Sequence, residues 1–386
     1  MTNNPSVMYK VQDFEDIRPY YDEEINPALK RIITVPEFGK ILDFLFPDKD
    51  KNQIIDDLSQ TFTALDFQKR FMHPLVNSIV RKTSKGLTTS GFDLLSPGTP
   101  YLFIANHRDI VLDSAILQVV LLDHGHDTSE ITFGSNLMTN QFIIDLGKVN
   151  RMFKVYRSGN RMELFRNSQI LSAYIRYTIT QKRTSAWIAQ RNGRTKDGND
   201  KTESGLLKMF NISGTCNFRE SFEELNIVPL AVSYEYEPCC AFKIKELLAA
   251  AKGIPYQKGP QEDLMSIITG ITQQKGCIHL AAGTPVNQLI PQTDGLQNIN
   301  DKINKLAALI DSSIYDHFRL WPANYISFDM LSHGKKFARH YSAIEVEEFK
   351  SHMEKELSIF TGDTTLHKDL LLKIYANPVI NSGLAV

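Results

Sequence analysis

The chain predicts an α/β fold: a mixed, mostly parallel sheet covered by helices, with a helical region before it and a helical extension after it. Two observations carry this. From about Gly86 to Glu237, short apolar runs alternate with segments whose apolar residues recur at helical spacing, the pattern of strands joined by covering helices. Outside that stretch only the helical period persists. With 386 residues, 42% of them hydrophobic, the chain can build a large core. The boundaries expected are 1–85 for the helical region, 86–320 for the α/β domain and 321–386 for the extension.

Taken in order, Pro27 to Phe46, Asp50 to Leu65 and Phe67 to Ile79 carry apolar positions three and four residues apart and read as helices, separated by punctuation such as Pro47-Asp48. Strands are expected at Tyr101 to Ala105, Ile131 to Phe133, Phe153 to Tyr156, Ser185 to Ala189 and Ile227 to Tyr234. Asp113 to Leu122 is an almost unbroken apolar helix, and Met162 to Ile179 is an amphipathic helix of the crossover kind. From Trp321 the chain returns to helix, with Lys335, Lys336, Arg339, Glu345, Glu347, Glu348 and Lys350 alternating in sign as on a solvated face. Leu320 to Tyr325 reads as a core-anchoring aromatic loop.

Net charge is −1, so no overall field recruits nucleic acid or an anionic membrane, and any anion site is built locally. Cys216, Cys239, Cys240 and Cys277 have neither metal spacing nor a disulfide-dense pattern, and residues 1–13 lack a signal-peptide layout. A reducing, cytoplasmic setting is expected. No window has the length of apolar sequence a membrane span needs, so contact with a membrane would be peripheral, with the N-terminal helices offering an apolar face. Oligomeric state is left open.

The segment most charged with chemistry comes directly after the first central strand: Asn106-His107-Arg108-Asp109-Ile110-Val111-Leu112-Asp113. It places a histidine at a strand-to-helix junction with two acids in reach, and carboxyl ends of strands are where open α/β sheets put ligands. An acid bonded to one ring nitrogen fixes the tautomer and stabilises the imidazolium when the other nitrogen takes a proton. Asp113, at the helix start, and Asp109 both qualify. The bland alternative is a capping aspartate and a surface histidine. Two later strands also end in basic loops: Lys154-Val155-Tyr156-Arg157, and Gln190-Arg191-Asn192-Gly193-Arg194-Thr195-Lys196. Guanidinium groups bind phosphate oxygens in two-point fashion, so Arg157, Arg191 and Arg194 can form an anion site beside His107. His124 and His126 fall in a polar turn, which explains them without a metal.

These segments, in this order, resemble the motifs of the glycerolipid acyltransferase superfamily, whose members, bacterial ones among them, include glycerol-3-phosphate and 1-acylglycerol-3-phosphate acyltransferases. Asn106-His107 to Asp113 resembles its histidine box, Lys154 to Arg157 its second motif and Asn192-Gly193-Arg194 its third. Val228-Pro229-Leu230 resembles its fourth, a proline-bearing strand near the acyl pocket. The resemblance covers roughly 101 to 236. It implies His107 as general base, with Asp113 (alternatively Asp109) as its acid. Arg108, Arg157, Arg191, Asn192, Gly193 and Arg194 would bind substrate, and Val228 and Pro229 would border the acyl chain. The donor would be an acyl thioester, acyl-CoA or acyl carrier protein, with no metal or other cofactor. The acceptor would be a glycerol phosphate such as 1-acyl-sn-glycerol-3-phosphate, in phospholipid synthesis. Two positions depart from the pattern. Five residues separate His107 from Asp113, one more than is usual, and Asn192 stands where glutamate is common. The second departure favours the alternative of a phosphate-free acceptor such as an acylated amino acid. Rival classes are a serine hydrolase using Ser114 or Ser135, neither of which lies in a Gly-x-Ser-x-Gly elbow, and a non-catalytic lipid or acyl-carrier binder.

Overall fold

The computed structural model describes residues 9–47, 49–214 and 217–385. Cys216 lies outside them. Seven strands form one sheet: β1 (Gly86–Ser90), β2 (Leu102–Ala105), β3 (Glu130–Gly134), β4 (Met152–Val155), β5 (Ala186–Ala189), β6 (Ile227–Tyr234) and β7 (Cys277–Ala282). Their spatial order is β1-β7-β6-β2-β5-β3-β4. The five strands from β6 to β4 are mutually parallel, while β7 runs antiparallel to β6 and β1 pairs parallel to β7. The expected α/β class is the observed one.

Alternation along β2 divides the core. Leu102 and Ile104 join Ile188, Ile227 and Phe153 under the helices Arg161–Thr180, Ser204–Ile212 and Ile299–His317. Phe103 and Ala105 face the other way, with Trp187, Val228, Leu230 and the helix Leu112–Asp123. A sheet buried on both faces has no polar side to betray its strands, which is why these read as plain apolar runs.

Two strands escape the sequence reading. β1 is Gly-Leu-Thr-Thr-Ser, a polar and largely exposed edge, where no core face imposes a pattern. β7, six residues long, lies beyond Glu237, past the stretch in which alternation is visible. The N-terminal helices are also shorter than expected. Pro27 to Phe46 splits into Asp22–Ile33 and Phe38–Leu45 around Pro36, and Asp50 to Leu65 stops at Ser59. There the Asn26 side-chain amide donates to the carbonyls of Ser59 (2.7 Å) and Thr61 (3.0 Å), answering helix-end acceptors that a further turn would have used.

Apolar residues of these helices, including Leu29, Leu42, Leu58 and Phe71, pack on one another and on Val149, Phe142 and Leu146. Phe44 and Phe62 of the same region remain exposed. At the other end, Thr365–Asn381 packs with Pro322–Leu331 and Cys240–Ala251 around Ile326, Leu371, Tyr375 and Ile244. Trp321 is buried, with the Arg319 guanidinium 4.7 Å from its ring. Among the described residues no helix is long and apolar enough to cross a membrane.

Candidate functional site

Because the five central strands are parallel, the loops leaving β2, β3, β4 and β5 all emerge at one edge of the sheet. His107 leaves β2 there. Asn106, just before it, is fully buried and continues the sheet with its side chain: its amide donates to Val232 O (3.0 Å) and its carbonyl accepts from Val232 N (2.7 Å). The chain is thereby released from the ladder one residue early without orphaning β6.

Asp113, not Asp109, is the carboxylate bonded to His107. His107 Nδ1 lies 2.8 Å from Asp113 Oδ2, and its side chain is 13% exposed against 1% for Asp113. Arg108 N (2.6 Å) and Asp109 N (2.9 Å) donate to the same oxygen, and the Tyr234 hydroxyl (2.8 Å) donates to Oδ1. Burial alone would push the Asp113 carboxyl up, but the bond and charge of His107, with the Asp109 amide and Tyr234, hold it below the usual carboxylate range. The His107 ring is edge-on to Trp187 at 5.4 Å. An ionised, fully engaged acid behind a histidine with one shielded and one outward nitrogen is the arrangement of a general base.

Asp109 does a different job. Its Oδ1 accepts from Val111 N (2.9 Å) and Leu112 N (2.8 Å), capping the helix that carries Asp113. This cap absorbs the extra residue between His107 and Asp113. Its Oδ2 has no partner and faces Gly270, where a Cβ would stand 2.2 Å away. Burial and the Asp113 charge push the Asp109 carboxyl up.

Arg108 requires a correction. The sequence reading gives it to substrate, but its guanidinium is buried between Asp200 and Glu237 (2.9 Å), with Phe318 5.2 Å away. Desolvation of a lone cation there would be prohibitive, and two carboxylates compensate it. Lys243, also fully buried, bonds Glu237 and donates to Arg108 O (2.8 Å). The Tyr375 hydroxyl accepts from Glu237 N (2.8 Å), tying this network to the C-terminal helix.

The basic loop after β5 splits. Thr195 N donates to His107 O (2.8 Å), which holds the loop against the histidine segment. Gly193 adopts φ +76° in the left-handed region with open space around it, and Asn192 is exposed. Arg191 is half-buried with no partner for Nε. Arg194 is buried, bears on Asp109 and Cys239, and leaves Nη1 without a partner. It therefore lies beneath the rim rather than on it. Lys196 pairs with Glu246 (2.6 Å), and burial with the nearby Arg194 lowers its pKa to about 8. Arg157, at the end of β4, is exposed, and its backbone N–H donates to Ser135 Oγ (3.2 Å).

Val228 and Pro229 pair with Phe103 and Ile104 inside the sheet and are buried. Their place is within the sheet. Ser114 donates to Val111 O (3.3 Å) and Ser135 accepts from Arg157 N, so neither serine is spent on His107. His124 Nδ1 lies 2.8 Å from Val120 O at the end of its helix. Sequence reasoning missed Tyr234, Asp200, Glu237 and Lys243. Tyr234 ends an apolar strand and gives no signal, whereas Glu235 and Glu237 just after β6 are acids at a strand's carboxyl end, a cue that the sequence does carry.

Among solved structures, the chain is similar to the crystal structure of the 1-acyl-sn-glycerophosphate acyltransferase PlsC from Thermotoga maritima. The two share 11% sequence identity with a TM-score of 0.39, over 76% of this chain and 94% of that one. That is a distant likeness. No family model matches the chain, and no curated protein matches it.

Proposed function

We propose that this chain is an acyltransferase that moves an acyl group from a thioester to a hydroxyl. The observation that carries the reading is the His107–Asp113 pair, with its acid locked by Arg108 N, Asp109 N and Tyr234, at the carboxyl edge of a parallel sheet. His107 Nε2 removes the proton of the acceptor hydroxyl as that oxygen attacks the thioester carbonyl carbon. Asp113 holds the imidazolium so formed. The tetrahedral intermediate collapses, the C–S bond breaks, and the proton passes from His107 to the leaving thiolate. General-base help of this kind contributes on the order of 10² to 10⁴ in rate, the rest coming from positioning and from oxyanion stabilisation. No cofactor enters the sequence of steps. The donor is acyl-CoA or acyl carrier protein, and the resemblance in the motifs suggests 1-acyl-sn-glycerol-3-phosphate as acceptor, with Arg157 and Arg191 as its phosphate ligands.

A second reading is favoured by Arg194, which is buried against Asp109 rather than presented at the rim. With one arginine fewer at the opening, an acceptor without phosphate, such as an acylated amino acid, fits the same dyad. A thiol-release assay with long-chain acyl-CoA, run over lysophosphatidate and acylated amino acids, tests both readings. Acceptor-dependent thiol release that disappears in His107→Ala is expected. Absence of release with every acceptor and donor, the carrier-protein form included, would leave the binder alternative standing.

A further inference from the structure

The ten residues from Arg157 to Arg166 are all exposed, and they join the rim of the site to the start of the helix Arg161–Thr180. That helix buries nothing before Leu171, so its first turns overhang the sheet. Those turns carry Met162 at 81% exposure, Phe165 at 58% and Leu164 at 37%. Met162 and Phe165 stand three residues apart and share one face. Arg161 and Arg166 flank that face on the helix, Arg157 precedes it with its side chain against Gly134, and none of the three forms a salt bridge among the described residues. The one acid of the segment, Glu163, is engaged: its Oε2 accepts from Asn160 N (2.9 Å) in the helix cap. A groove of about 410 Å³ opens alongside, where Lys154 and Arg166 stand with Asp13, Asp16 and Glu163, Lys154 being paired with Asp16.

Single exposed apolar side chains are ordinary on a protein surface, but here two share one helix face between cations that make no salt bridge. A second copy of this chain would set like charges against like across a symmetric contact. An anionic lipid surface satisfies both halves, taking the apolar tips below the headgroups and pairing the guanidiniums with phosphates. We infer that Arg157–Arg166 docks the protein on an anionic lipid surface, with Met162 and Phe165 inserted. β4 ends at this patch, and β2, which delivers His107, lies three strands away at the same edge, about 14 Å at ordinary strand spacing. Docking thus turns the edge that bears His107 toward the lipid. The inference deepens the acyl-transfer reading by naming the surface from which a lipid acceptor enters, but lipid binding is read without turnover, so either can fail alone.

The test is co-sedimentation of the full chain with vesicles of phosphatidylcholine alone and of phosphatidylcholine with phosphatidylglycerol. The wild type should pellet with the anionic vesicles and be released by salt. Met162→Ser with Phe165→Ser should weaken binding by about 10- to 100-fold. Arg161→Gln with Arg166→Gln should lose about tenfold or more, together with most of the salt dependence. All four positions are exposed, so thermal melts should match the wild type, and turnover on acceptor dispersed in detergent should be unchanged. Wild type that stays in the supernatant with anionic vesicles, or variants that pellet as wild type does, would overturn the inference. So would concentration-dependent dimers abolished by Met162→Ser with Phe165→Ser, which would make a second copy the occupant.

Discussion

Replacing Asp113 by asparagine separates charge from shape at the centre of the proposed site. An amide oxygen at the Oδ2 position still accepts from His107 Nδ1, Arg108 N and Asp109 N, while the amide nitrogen meets the Tyr234 hydroxyl, which rotates to accept. The tautomer and the fold should therefore survive. What vanishes is the negative charge 2.8 Å from the imidazole. Two unit charges about 4 Å apart at an effective dielectric near 20 interact by about 4 kcal/mol, and discounting that for water at the open face leaves about 3 to 4 kcal/mol of transition-state stabilisation. That is on the order of 10² to 10³ in kcat with the fold retained. Asp113→Ala is the contrast, because it strands three buried donors besides the histidine at about 1 to 3 kcal/mol each, enough to threaten a fold of about 5 to 15 kcal/mol. Acceptor-dependent thiol release and thermal melts on Asp113→Asn, Asp113→Ala and Asp109→Asn decide the matter. Wild-type kcat in Asp113→Asn, alongside a large loss in Asp109→Asn, would falsify the assignment of the acid.

Further expectations rest on the same network. Asp109 has its pKa raised in the folded chain, so its contribution to stability is intact below the unfolded value and lost as pH rises through the folded one. Asp109→Asn should accordingly match the wild type in acid and exceed it near neutrality in pH-dependent melts; a gain confined to acid would contradict the sign. Asp113, with a lowered pKa, contributes stability above the unfolded carboxylate value and loses it as pH falls through the folded one, so Asp113→Asn should narrow the acid-side loss of stability. Gly270→Ala places a methyl 2.2 Å from Asp109 Oδ2 and should cost about 1 to 3 kcal/mol in denaturant titration. Asp109→Ser in the same chain should return part of it, and strict additivity would show that the two residues do not meet. Arg108→Ala leaves Asp200 buried without its cation and Glu237 with Lys243 alone, and should cost about 3 to 5 kcal/mol, an effect absent if the guanidinium faced solvent.

How far the sequence spoke can be judged at particular residues. Apolar runs located β2 to β6 because strands buried on both faces leave nothing else to read. β1 stayed hidden since an edge strand needs no apolar pattern, whereas β6 was legible despite Pro229 in its interior. The proline's carbonyl bonds Gly283 N (2.8 Å) just past the last β6–β7 rung, so the missing N–H costs no ladder bond there. His107 and Asp113 were legible as a pair. The roles of Arg108 and Arg194 were not, because whether a guanidinium points out or in depends on carboxylates far away in the chain, Glu237 and Asp109 here. Tyr234 was invisible for the same reason.

The C-terminal helix gives the site an order in time. Gly198 lies so close to Thr365–Asn381 that a Cβ would sit 2.0 Å from Ile374 O, Asn377 donates to Asp197 O (2.7 Å), and Tyr375 accepts from Glu237 N. A ribosome makes His107, the loop after β5 and Glu237 long before it makes that helix. The nascent chain therefore carries every residue of the dyad while the strut behind Arg108 is still unmade. The proposed activity should therefore await synthesis and docking of Thr365–Asn381, not synthesis of the histidine.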